Sequence, residues 1–264
     1  MKRIFCIMTV ILVLLSCLEV EGLVPNGIND TGIVPVTACT PEGDSTEYKF
    51  MVSKDGQNQF FRAPKNKEVL LPLPFGTGVY SITLLKQKLD DVFSIEKQYI
   101  VNHVSENEYI GLTCSDCVVN WHPDGDLAVT ALNLTKGCMS EEEKVMVIRK
   151  FVVTTIEYDH DKIDRIPTDY LPNAEETFKT GNGLCYDYSV LFAAMLRINK
   201  IPAKVVKGYT TAVPVYHAWN EVFVDGEWKI VDTTVDSYYL RKWSRLVKAF
   251  KNAENYLPDE ALIF

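Results

Sequence analysis

Residues 181–197, Gly-Asn-Gly-Leu-Cys-Tyr-Asp-Tyr-Ser-Val-Leu-Phe-Ala-Ala-Met-Leu-Arg, set a single cysteine between a glycine-rich turn and an apolar run. Leu191, Met195 and Ile198 recur at helical spacing with Val190 and Ala194 beside them, which predicts a buried helix beginning near Cys185. Gly181 and Gly183 permit a tight approach of the backbone. A helix N-terminus carries roughly half a positive charge and unpaired N–H groups, which favour a thiolate and can receive an oxyanion. Cys185 is therefore the candidate nucleophile.

A cysteine nucleophile needs a base and a group that orients the base. Residues 216–222, Tyr-His-Ala-Trp-Asn-Glu-Val, read as a strand, as do residues 228–232, Trp-Lys-Ile-Val-Asp. Asp225-Gly226 between them is a hairpin signal, so His217 and Asp232 are expected on paired neighbouring strands. Residues 203–209 supply a further strand just after Ile201-Pro202.

These blocks together resemble the transglutaminase-like domain of secreted bacterial proteins. The resemblance runs from about 140 to 237 through Gly-Asn-Gly-Leu-Cys-Tyr-Asp-Tyr, Met-Leu-Arg, Ile-Pro-Ala-Lys-Val-Val-Lys-Gly-Tyr, His-Ala-Trp-Asn-Glu-Val and Trp-Lys-Ile-Val-Asp-Thr-Thr, in that order, with Ile156-Glu157-Tyr158-Asp159 upstream. It implies an α+β fold: a papain-like core in which a helix carrying Cys185 packs on an antiparallel sheet carrying His217 and Asp232. Its members include transglutaminases, peptidases, amidases and domains that have lost catalysis. The tryptophan that eukaryotic transglutaminases use upstream of the cysteine has no clear counterpart, because Trp121 is too distant to carry over. Asn182 stands as the candidate side-chain oxyanion donor.

The 264 residues, 47% of them hydrophobic, can bury a substantial core in one or two domains. A net charge of −8 argues against a nucleic-acid partner, which requires a clustered positive field. Lys2-Arg3 and the apolar run after them give residues 1–22 the pattern of an export signal. Leu14-Leu15-Ser16-Cys17 resembles a bacterial lipobox, so the expectation is a secreted protein or a lipoprotein anchored through Cys17 outside the cytoplasmic membrane. Ordinary cleavage near residues 20–22 is the alternative. Residues 23–43, rich in Pro, Gly, Thr and Asn, read as a linker.

Residues 44–122 read as a small all-β, sandwich-like domain: Tyr80, Ile82 and Leu84 alternate, as do Phe93, Ile95, Tyr99 and Val101, and residues 54–57 form a turn. Residues 123–264 read as the catalytic domain. Ser140 and Glu143 make a capping box before a stripe of Val145, Ile148, Val152 and Ile156, a helix expected beside the one that begins at Cys185. Residues 158–180, with Asp159, His160, Asp161, Asp164 and Asp169, read as an irregular polar loop bordering a cleft. Their spacing matches neither a zinc helix nor an EF-hand, so no metal or other cofactor is expected. Leu240, Trp243, Val247 and Phe250 predict an amphipathic helix over 238–256 whose basic face is solvated or meets an anionic cell surface.

Beyond Cys6 and Cys17, the cysteines divide into Cys185 and four others: Cys39, Cys114, Cys117 and Cys138. In an oxidising compartment these four predict two disulfides, in any of three pairings; a zinc site of four thiolates is the competing idea. The chemistry expected is cysteine-dependent acyl transfer or amide hydrolysis through a thioester, on a protein or peptide substrate at the cell wall or cell surface. The alternative is a catalytically silent surface-binding module.

Overall fold

The computed structural model describes residues 28–90, 92–167, 170–243 and 247–264. The export segment, Cys6, Cys17, Asp169 and Arg245 lie outside them. The chain opens with β1 (Ile28–Asn29), β2 (Ile33–Thr37), β3 (Tyr48–Lys54), β4 (Gln57–Arg62), β5 (Glu68–Pro72), β6 (Gly78–Leu89) and β7 (Val92–His103). These form a five-stranded sheet in the order β1-β7-β6-β3-β4 and a separate β2-β5 pair. The β3–β4 turn works because Asp55 (φ 51°) and Gly56 (φ 82°) both take left-handed conformations, the signature of a tight hairpin. Burial of Phe50, Val52, Tyr80, Ile82 and Leu84 fixes which face of the sheet looks inward. Ile95 breaks the expected alternation and is exposed, because the β6–β7 register shifts beside Leu84 and Leu85.

Within the expected linker, residues 28–43 are not simply a tether. From Ile33 to Thr37 the strand β2 pairs antiparallel with β5, and Val34, Val36 and Ala38 are buried. Alternation of Val34 and Val36 outweighs the Pro and Gly content that suggested a tether.

The second half brings α1 (Asp126–Leu134), α2 (Glu141–Thr155), β8 (Glu157–Tyr158), α3 (Ala174–Thr180), β9 (Asn182–Gly183), α4 (Cys185–Ile198), β10 (Ala203–Thr210), β11 (Val213–Val224), β12 (Glu227–Val231), α5 (Thr233–Trp243), β13 (Phe250–Lys251) and β14 (Tyr256–Ile263). A second five-stranded sheet, β13-β12-β11-β10-β14, backs α4, and α1, α2, α3 and α5 pack around that helix. Every residue of α4 from 186 to 197 is buried. The Ser140 cap holds: the N–H of Glu143 donates to Ser140 Oγ at 3.1 Å, and Val145, Ile148 and Val152 are buried with α4 in one cluster.

Three expectations are corrected. The helix predicted over 238–256 instead starts at Thr233, and the chain beyond 250 forms strands; Trp243 is exposed, while Val235, Asp236 and Ser237 are the buried positions. The deciding residue is Asp232, whose side chain and carbonyl receive the N–H groups of Val235 and Asp236 and so cap α5 early. Within 158–180, residues 174–180 are helical, capped by Asn173, whose Oδ1 accepts from the Glu176 N–H at 3.0 Å. Cys39, Cys114, Cys117, Cys138 and Cys185 are all free thiols. Cys114 and Cys117 share one loop, where Cys117 packs on the core and Cys114 Sγ donates to Thr31 O, while Cys138 lies in the turn between α1 and α2.

Arg197 ties α4 to its surroundings. Fully buried, it donates from Nη1 to Asp116 Oδ2 (2.6 Å) and Cys114 O (3.2 Å), and from Nε to Ala203 O (2.9 Å). Arg197→Leu should lower stability in urea unfolding by about 3–5 kcal/mol, because it strands a buried carboxylate. The double variant with Asp116→Leu should recover much of the loss; equal losses would contradict the pairing.

Candidate active site

Cys185 is the first residue of α4 and is partly exposed. The turn that delivers it is specified locally. Gly181 ends α3 at φ 68°, a conformation that favours glycine. Gly183 has no room for a side chain, since a Cβ would come within 2.5 Å of Asp187 Cβ. The buried Asp187 carboxylate accepts from the Leu184 N–H at 2.7 Å, closing the first turn. Its other partners are Lys162 Nζ at 3.1 Å and the Tyr170 hydroxyl, which pin part of the 158–180 segment against the head of α4.

His217 lies on β11, opposite Gly208 of β10. Only 4% exposed, it bonds from Nε2 to Asp232 Oδ2 at 2.9 Å, which leaves Nδ1 for another partner. The Cys185 side chain lies close enough to act on the same ring electrostatically. Burial opposes protonation of the ring, but the bond to Asp232 and the charges of Asp232 and Cys185 prevail and push its pKa up to about 10. Asp232 stands just past β12 rather than on it, at the head of α5. There its carboxylate collects three donors: the His217 ring, the Val235 N–H at 3.0 Å and the Tyr256 hydroxyl at 3.0 Å.

The structure thus joins His217 to Asp232 by a hydrogen bond, sets Cys185 within electrostatic range of the ring, and leaves Asn182 out. Asn182 is exposed, and its amide donates to Thr180 O at 2.8 Å. Tyr256 was missed by sequence reasoning; it lies 24 residues past Asp232, in a stretch whose pattern suggested the end of a helix. Trp219, whose ring stacks on His217 at 6.4 Å, could have been found, because it sits two residues along the same strand and so on the same face. Asn220 Nδ2 donates to Ser189 O at 2.9 Å and Lys204 O at 3.0 Å, fixing β11 against both α4 and β10. Among the described residues, no three His, Cys, Asp or Glu side chains gather as metal ligands.

Residues 129–233 match the model of the transglutaminase-like superfamily. The chain is 35% identical over 95 residues to UPF0252 protein MJ1282 of Methanocaldococcus jannaschii, a match covering 32% of this chain and 27% of that protein. Among solved structures, a candidate cysteine protease from Cytophaga hutchinsonii is similar at TM-score 0.45 and 19% identity, over 88% of this chain and 80% of that one. The periplasmic domain of TgpA from Pseudomonas aeruginosa is similar at TM-score 0.38 and 14% identity, over 76% and 91%.

The raised pKa of His217 has a consequence for stability. Protonation of the folded ring contributes stability that is fully present below the unfolded value near 6.5 and is lost as pH rises to about 10. The stability difference between wild type and His217→Gln should therefore shrink across that window in urea titrations at stepped pH. A difference independent of pH would contradict it.

Proposed function

We propose that this chain, whose residues 129–233 form a transglutaminase-like core, is a thiol enzyme that transfers or hydrolyses acyl groups through a thioester on Cys185. The observation that carries this reading is the His217 ring bonded to the Asp232 carboxylate and acted on by the side chain of a partly exposed Cys185.

In the proposed cycle, the thiol proton already rests on His217 in a thiolate–imidazolium pair, and the thiolate attacks a carboxamide or peptide carbonyl. The tetrahedral adduct collapses as the C–N bond breaks, and the imidazolium returns its proton to the departing amine. Water, deprotonated by His217, then attacks the thioester to release a carboxylic acid; an amine attacking instead yields a new amide. Asp232 holds the ring so that Nδ1 faces the sulfur, and it stabilises the imidazolium. The Cys185 N–H at the head of α4 is positioned to meet the oxyanion. We further propose, from the charge and hydropathy pattern of residues 1–22, that the protein is exported and acts on a protein or peptide at the cell wall or cell surface.

Cys185→Ala should abolish the covalent acyl adduct seen by intact-mass spectrometry with a glutamine-containing peptide, while leaving the unfolding transition nearly unchanged; a surviving adduct would remove Cys185 from the role. Tyr256→Phe should lower turnover by about tenfold, since partners that hold an orienting group typically matter at the 10–100-fold level. Wild-type kinetics in that variant would make the Tyr256 bond purely structural.

A further inference from the structure

Lys207 is a half-buried cation beside the residue that follows Cys185. It lies on β10, one residue before the glycine paired with His217, and its Nζ sits 3.6 Å from the centroid of the Tyr186 ring, the residue that follows Cys185. Among the described residues, no carboxylate lies within ion-pairing distance of it and no hydrogen-bond acceptor receives it. Three other partly buried lysines of this half of the chain are neutralised: Lys162 by Asp187, Lys204 by Glu221 and Lys251 by Asp236. Burial lowers the pKa of Lys207, and Cys185 is the group whose charge raises it, which puts the ammonium within electrostatic range of the sulfur. The aromatic face offsets part of the cost of desolvation, but an anion would complete the site.

Building on the thiol-enzyme reading, we propose that Lys207 is a specificity residue that receives a substrate carboxylate beside the scissile carbonyl. The preferred acyl donor then carries an acidic side chain or a free α-carboxylate close to the amide that Cys185 attacks. The placement fits ground-state recognition better than an oxyanion hole, because the ammonium rests on Tyr186 rather than in a hydrogen bond at the sulfur. With a net charge of −8, the protein as a whole repels such a substrate, so a local cation is what would admit it.

The test uses two alkylating agents that differ chiefly in charge, iodoacetate and iodoacetamide, with labelling of Cys185 followed by peptide mass spectrometry on the full chain. In wild type the ratio of the iodoacetate rate to the iodoacetamide rate should exceed that of Lys207→Gln by about tenfold at low salt, as a unit charge a few ångströms away at an intermediate dielectric would give. Lys207→Arg should retain most of the preference, and added salt should erode it. A ratio unchanged in Lys207→Gln overturns the proposal. The iodoacetamide rate alone reports the thiol-enzyme reading: if His217→Ala leaves it unchanged, that reading fails, whatever the ratio does.

Discussion

A buried imidazole between a carboxylate and a thiol is the constraint on which this molecule depends. Taking the His217 ring out of water disfavours its charged form, and the bond to Asp232 together with the charges of Asp232 and Cys185 reverses that preference. The arrangement brings β11 and the start of α5 into hydrogen-bonding contact and the head of α4 within electrostatic range of the ring. Much of the surrounding structure secures that meeting. Asn220 fastens β11 to α4, Asp187 closes the first turn of α4, and the Val235 N–H together with Tyr256 holds the Asp232 carboxylate.

Buried charge recurs elsewhere in the fold, and in two further places it is paired. Arg197 meets Asp116, and Asp236 is shared between Arg149 and Lys251. Such pairs contribute little net stability relative to apolar substitutes, yet breaking one is costly, so they specify how helices and loops are joined. Against that pattern, the cation of Lys207 stands apart.

Much of the site was legible because its parts are local. The Gly181 to Cys185 turn, the Asp225-Gly226 hairpin and the period-2 pattern around His217 each leave a short-range mark, and the resemblance set them in register. Partners contributed from afar left none: Tyr256 reaches Asp232 through a strand that pairs with β10, in a region where Leu240, Trp243, Val247 and Phe250 mimicked a helical stripe. Asp232 itself shows why that pattern misled. It ends the strand and caps a helix in one step, so the helix starts earlier and the apolar residues after 247 go to strands. The linker reading of 23–43 failed for a similar reason, since pairing of β2 with β5 is a long-range event. The cysteines could be counted but not paired, because counting says nothing about which elements carry them to one place.

The most direct measurement is the protonation state of the His217 ring by nitrogen-15 NMR of labelled imidazole across pH. The account predicts a doubly protonated ring at pH 8 that titrates near 10, and a clearly lower titration in Cys185→Ala. A ring already neutral at pH 8, or one indifferent to removal of the sulfur, would contradict it.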